Sequence, residues 1–314
     1  MPPPRHFVAL VTGASSGIGE ATARRLAREE GVQLILVARR EERLRALAMQ
    51  LGGATVVALD LTGADAPAAL SEIVQREHGQ LHLLVNNAGA AWHGEFAETG
   101  WASLERHMKL NFGAPARLTE ALLPVLRQTA AGLLSQPAAR GPGSEAGAGR
   151  GDEIGGQPWN EIRGRAQSEI KGRAESEIEA ASARVSIVNV ASTSARVSRP
   201  GSGAYGASKS ALAGWSDALH LEERRHGVHV GLVLPGFVET EGFPAAGLRA
   251  RRATRWMVSS PELVAEAIVQ AGPGGKAERY VPRPYWLAGA ARTLAPTLVR
   301  RIAGTFTTTS TAEP

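Results

Sequence analysis

The 314-residue chain has no cysteine. That excludes a disulfide framework, a thiolate nucleophile and a cysteine-bound metal. It has no run of about 18 uninterrupted apolar residues, so no membrane-spanning helix is expected. Residues 1–6 (MPPPRH) lack the apolar core of a secretory leader. The eight histidines are scattered, without clustered Asp or Glu, so no metal site is expected. Zinc-finger spacing and RNP-type aromatic motifs are missing, which argues against nucleic acid as a partner. Lysine and tyrosine are scarce, at four and three residues. A soluble, cytoplasmic protein is expected.

What the chain does have is a regular alternation. Apolar, β-branched runs fall at 7–12, 32–38, 54–59, 81–86, 185–190, 228–234 and 278–282. Helical patterns lie between them, near 17–30, 41–51, 66–78, 101–130, 203–226 and 260–271. The alternation predicts an α/β fold, a doubly wound parallel sheet of about seven strands with helices on both faces. Runs such as LILVA and VSIVNV suit strands buried on both sides. In such sheets ligands bind outside the carboxyl ends of the strands, so the residues just past each strand are the ones to read.

Residues 132–184 break the rhythm. They turn rich in Gly, Ala, Pro, Ser and Arg, then run through a near-repeat, EIRGRAQS, EIKGRAES, EIEAASAR. The first half reads as disordered and the second as a weak, charge-laced helix. The segment joins a helix to the fifth strand, at the amino ends of the strands and away from the binding edge. Lengthening a loop from about 5 to about 50 residues costs only about 2 kcal/mol of closure entropy. The expected organisation is one domain over 1–284 interrupted by 132–184. A basic, amphipathic carboxyl-terminal segment and loose tail follow at 285–314. From Arg249 to Arg301 there are ten Lys/Arg against three Glu. Contact of this segment with a membrane surface is the less favoured reading; docking on the body or assembly is preferred.

The first strand runs into VTGASSGIG, with Gly13, Gly17 and Gly19 opening a helix. Glycines there permit a tight turn and close backbone approach, and the helix amino end favours a pyrophosphate. The second strand ends in Arg39 and Arg40. A carboxylate at that place suits the ribose 2′-hydroxyl of NAD, whereas arginine suits a 2′-phosphate, so NADP is expected. Asp60 and Asn86–Gly89 close the third and fourth strands.

Ser192 follows the fifth strand, and YGASK places Tyr205 and Lys209 at i and i+4, on one helix face. A nearby ammonium lowers a phenol's pKa and makes it a usable general acid or base, while a serine hydroxyl can polarise a substrate oxygen. Trp92, His93, Phe96, Thr193–Val197, Phe237, Phe243, Trp256 and Met257 are candidates for a largely apolar substrate pocket, under a lid at 241–257.

TGASSGIG, NNAG, Asn111 in KLNFGA, Ser192, YGASK and PGFVET stand in one order, and in this the chain resembles the compact, single-domain class of short-chain dehydrogenases/reductases. The resemblance covers residues 7 to about 282, apart from 132–184, and implies a Rossmann-type fold. It implies that Tyr205 donates the proton, that Lys209 tunes it and bonds the nicotinamide ribose, that Ser192 orients substrate and that Asn111 holds a water. Gly13, Ser15, Ser16, Gly17, Ile18 and Gly19 would hold the cofactor from the glycine loop. Arg39 would read NADP, and Asp60 and Leu61 would face adenine. Asn87, Ala88 and Gly89 would line the adenine ribose and phosphates. Pro235, Gly236, Val238 and Thr240 would pass beside the nicotinamide. It also implies a homo-oligomer. The expected activity is hydride transfer between NADP(H) and a lipophilic carbonyl or alcohol. A non-catalytic dinucleotide-binding scaffold, with the insertion as its partner site, is the alternative.

Overall fold

A computed structural model of the chain describes residues 6–135, 185–241 and 255–304. Seven parallel strands form its sheet: β1 (Phe7–Thr12), β2 (Val32–Ala38), β3 (Thr55–Ala58), β4 (Leu83–Asn86), β5 (Ser186–Val190), β6 (His229–Pro235) and β9 (Glu278–Val281). Their order is β3-β2-β1-β4-β5-β6-β9. The winding reverses between β1 and β4, which pair through Ala9–Val11 and Leu83–Val85. The crevice for a ligand therefore opens at the carboxyl ends of these two strands. A separate pair, β7 (Phe237–Val238) and β8 (Val258–Ser259), sits beyond β6. It is too short for sequence periodicity to reveal.

Alternation along each strand feeds two cores. Phe7, Ala9 and Val11 of β1 join α1 (Gly17–Leu26), α2 (Glu41–Gln50) and α7 (Pro261–Ala271) on one face. Val8 and Leu10 join α3 (Ala66–Glu77), α5 (Ala114–Leu134) and the end of α6 (Gly203–Glu223) on the other. Every residue of β1 is buried. At about 25 cal/mol per Å² of apolar surface, this two-sided burial is what makes near-continuous apolar strands stable.

The helix expected over 101–130 differs. α4 starts earlier, at Phe96, and runs to Met108, with Gly100 breaking its regularity at φ 57. A π turn, Lys109–Gly113, then joins it to α5. α5 continues to Leu134, so residues 132–134 belong to the helix rather than to the insertion. The rest of the near-repeat segment, 136–184, lies outside the described residues, as do most of the expected lid and the tail beyond 304. The segment after β9 forms two short helices, α8 (Trp286–Leu294) and α9 (Pro296–Ala303), separated at the proline. Among the described residues no helix is long and apolar enough to cross a membrane.

Candidate active site

The glycine loop is built by close packing. Gly13 and Gly17 adopt φ of 68° and 56°, which side-chain-bearing residues rarely take. A Cβ on Gly19 would fall 2.2 Å from the Gly13 carbonyl oxygen, and one on Gly17 would lie 3.1 Å from Thr240 Cγ2. Thr240 thus packs against the glycine loop. The amino-terminal cap of α1, Ser16, makes no side-chain cap bond. The first-turn N–H groups, including those of Ile18 and Gly19, are left for an anion at the carboxyl edge of the sheet.

Thr12, which the sequence presents as one more β-branched strand residue, ties this loop to the next. Its hydroxyl donates to the Val85 carbonyl at 3.0 Å and accepts from the Asn87 and Ala88 N–H groups at 2.9 and 3.0 Å. Asn87 Nδ2 returns a 2.9 Å bond to the Thr12 carbonyl. Behind it, Asn86 Nδ2 donates to Asn189 Oδ1 (2.8 Å) and Thr119 Oγ1 (3.1 Å), and Asn189 Nδ2 to Ser216 Oγ (2.8 Å). This polar chain runs from β4 across β5 on the face that α5 and α6 cover.

Three arginines gather past β2. Arg39 is exposed. Arg40 reaches back to the glycine loop, donating to Ser15 Oγ at 3.2 Å and Ser16 Oγ at 2.6 Å. Arg40 and Arg43 both bond Glu241, Arg43 through two donors at 2.7 and 2.8 Å. These bonds hold the Glu241 carboxyl at about 2, with Arg43 the larger cause. The sequence singles out Arg39; the structure adds Arg40 as the arginine in contact with the loop. Asp60 Oδ1 is engaged by the Thr62 N–H (2.9 Å) and hydroxyl (2.8 Å), which keep its carboxyl below the usual range. The Leu61 side chain is buried in the core on the α3/α5 face of the sheet, so its backbone is what it offers a ligand.

The catalytic candidates converge on the same edge. Ser192 caps a short 3₁₀ turn after β5, accepting from Ser194 N–H at 3.1 Å. Tyr205 stands half-buried near the start of α6, with Ser192 as the neighbour that most lowers its phenol. One turn on, Lys209 is buried and its Nζ donates to the Val190 carbonyl at 2.8 Å. Asn111, fully buried in the π turn, brackets Ala90: its Oδ1 accepts from Ala90 N–H at 3.0 Å and its Nδ2 donates to the Ala90 carbonyl at 2.9 Å. Its Nδ2 also reaches Ser208 Oγ at 3.0 Å, and Ser208 bonds the Tyr205 carbonyl at 2.7 Å. A Cβ on Gly89 would sit 2.9 Å from Asn111 Oδ1 and 3.3 Å from Lys209 Nζ, so this glycine lets the NNAG loop lie against both. Pro235, Gly236 and Val238 run alongside; the Pro235 carbonyl accepts from Ser192 Oγ at 3.4 Å. Gly236 is pressed by the Tyr285 ring, 2.4 Å from where a Cβ would be.

One electrostatic expectation is corrected. The i, i+4 spacing predicts that Lys209 lowers the Tyr205 pKa. Here burial dominates and pushes the Tyr205 phenol up, opposed by the Ser192 hydrogen bond and the charge of Arg199. Burial likewise pulls Lys209 down to about 8. Lys209 Nζ stands 6.0 Å from the Tyr205 ring centre and is spent on a backbone carbonyl, which explains the difference.

Two further residues escape a sequence reading. His107 is fully buried, its ring edge-on to Tyr205 at 6.2 Å between centres. It accepts from Trp92 N–H at Nε2 (3.0 Å) and lies 2.7 Å from the Ser103 carbonyl at Nδ1. Those partners assign the Nδ1–H neutral tautomer, and burial keeps it neutral. Arg199 is half-buried, its charge acts on Tyr205, and its guanidinium lies 4.8 Å from the centre of the Phe237 ring. No ion pair among the described residues uses it. Trp92 lies under Arg106, at 3.5 Å, beside the site, and Trp256 faces Tyr285 at 5.9 Å. Phe96 instead projects into solvent, and Phe243 lies outside the described residues.

A glycine turn feeding an uncapped helix at the switch point suits a dinucleotide, and a half-buried Tyr205 with buried Lys209 and Ser192 beside it suits proton transfer. Fold and site together define an oxidoreductase of the Rossmann class. The chain belongs to the short chain dehydrogenase family, whose model matches residues 7–134 and 177–248. The family implies a nicotinamide cofactor. Over 262 residues the chain is 32% identical to a Streptomyces coelicolor protein named "Putative ketoacyl reductase", covering 81% of this chain and 78% of that one. It is 26% identical over 243 residues to "Dehydrogenase/reductase SDR family member 7B" of Danio rerio. That match covers 74% of this chain and 61%, less than two thirds, of the relative. A crystal structure of a short-chain dehydrogenase from Streptomyces avermitilis superposes with a TM-score of 0.65 at 25% identity, covering 94% of this chain and 96% of that one.

Proposed function

We propose that the chain is an NADP(H)-dependent reductase of lipophilic carbonyl compounds, with ketones on acyl chains foremost, working in reverse on the alcohols. The observation that carries this reading is the convergence of Ser192, which holds the Tyr205 phenol down, and Tyr205 with buried Lys209 one turn on, against the NNAG loop. The name of the Streptomyces coelicolor relative supports the acyl ketone. The arginines at 39, 40 and 43 and the lack of a carboxylate at 39 support NADP over NAD.

When bound, the cofactor supplies the hydride. Tyr205 gives its proton to the carbonyl oxygen, and Ser192 donates to the same oxygen and holds it in line. Burial leaves the phenol neutral, the form an acid needs. Lys209, at about 8, can release and regain a proton near neutrality, and Asn111 would hold the water that links it to solvent. Residues 87–89 and 235–240 exclude water from one side of the reacting centre. Exposed Phe96 and Trp101 on α4 and Leu221 on α6 support the expected homo-oligomer through those helices.

The test is a panel of ketones, aldehydes and 3-oxoacyl thioesters assayed with NADPH and NADH, on wild type and Tyr205→Phe. Turnover with NADPH that vanishes in Tyr205→Phe, while NADPH still binds, is the expected result. A fully active Tyr205→Phe overturns the role of the phenol. Arg39→Asp should move the preference toward NADH; unchanged NADPH selectivity removes Arg39 as the reader.

A further inference from the structure

Helices α8 and α9 have no buried residue between them. Trp286 and Leu287 are each 54% exposed, Leu298 58% and Leu294 85%. On α8, Trp286, Leu287 and Leu294 fall on one side of the helix. The inner side rests lightly on the body: a Cβ on Gly289 would lie 3.7 Å from Arg196 Cβ. Arg292 and Arg300 face Ser198 and Pro200 across a shallow groove. Arg283 and Arg301 complete a set of four cations, and residues 283–304 contain no Asp or Glu.

We infer that this pair of helices is a docking surface for an anionic lipid surface, lying in the interface with its apolar side down. Short amphipathic helices with Trp and Leu on one side and arginines on the other have this chemistry. Charge complementarity selects the occupant. A second copy meeting this patch about a twofold axis would set four arginines against the same four, with no acidic residue to pair them. A leaflet of anionic headgroups offers partners to these arginines at the rim of the groove while the apolar side enters the acyl boundary. The surface adjoins residues 196–200, the stretch that links Ser192 to Tyr205. The docking itself does not depend on the activity proposed above.

The full chain is to be pelleted with phosphatidylcholine vesicles, with and without about one third phosphatidylglycerol. Binding to the anionic vesicles alone, weakened by salt, is expected. Arg300→Glu/Arg301→Glu should weaken it by about thirtyfold or more, and Leu287→Glu/Leu294→Glu/Leu298→Glu should abolish it. NADPH binding checks that each variant is folded, and the arginine pair, which alters charge alone, keeps the test open if the leucine variant unfolds. Failure to pellet with anionic vesicles overturns the inference, as does undiminished pelleting of both variants. A wild type that ignores vesicles and is a dimer, made monomeric by the leucine variant, assigns the face to a second copy instead. NADPH turnover assayed without vesicles separates this inference from the enzymatic reading.

Discussion

Replacing Thr12 by Val keeps the shape of a buried side chain and deletes one hydroxyl. That hydroxyl makes three hydrogen bonds, to the Val85 carbonyl and from the Asn87 and Ala88 N–H groups, and the side chain is 1% exposed. A net contribution near 1 kcal/mol for each bond gives a loss of about 3 kcal/mol. The added methyl returns about 0.8 kcal/mol of burial. Asn87 N–H keeps a second acceptor, the Val85 carbonyl at 3.1 Å, which trims the loss further. The expected net destabilisation is about 2 kcal/mol, or a fall in Tm of about 4–8 °C for a domain of this size. Thermal unfolding followed by circular dichroism measures it. NADPH titration of the folded variant should show weaker binding, because the Asn87–Gly89 loop is no longer stapled to the glycine turn. A Thr12→Val protein as stable as wild type and with unchanged NADPH affinity would refute the idea that this hydroxyl couples the two loops.

Arg199→Ala removes the positive charge that holds the Tyr205 phenol down. The alkaline limb of alcohol oxidation, where the phenolate acts as base, should move to higher pH; a profile that stays in place dismisses Arg199 as a tuning group. Lys209 sits at about 8 in the fold, against about 10.4 in an unfolded chain. Between those values the unfolded chain still carries the proton that the folded one has released, so stability rises with pH; below about 8 both are protonated and the penalty of the buried charge is present in full. Urea unfolding of the cofactor-free protein should show a rise of up to roughly 3 kcal/mol from about pH 7.5 to about pH 10.5 that Lys209→Met lacks. The same slope in both proteins would contradict the burial argument. Deleting 136–184 should leave a folded protein that binds NADPH; a soluble deletion variant unable to bind it would show that the segment serves the site.

Most of the fold was legible because strand and helix periods are written in long stretches. All seven strands of the main sheet fall where apolar β-branched runs lie, within a residue or two. What stayed hidden was local or distant. Nothing in KLNFG distinguishes a π turn from a regular one, yet the turn carries Asn111 into its buried position. The roles of Thr12, His107 and Arg199 depend on partners that only folding brings close. Thr12 bonds residues more than seventy positions away, and its β-branched side chain reads as an ordinary strand residue. The Tyr205–Lys209 spacing was visible, but the desolvation that the surrounding fold imposes on both groups was not, and it is what reverses the expected shift of the phenol. Arg39 was readable as a polar strand end; that its neighbour Arg40 folds back onto Ser15 and Ser16 was not.

α5 ends at Leu134 and β5 begins at Ser186, on the side of the sheet opposite the glycine loop. Cargo grafted into the stretch between them would hang from the rear of the enzyme and leave the catalytic mouth clear. A fluorophore, an affinity handle or a second folded module could be spliced there as a tether.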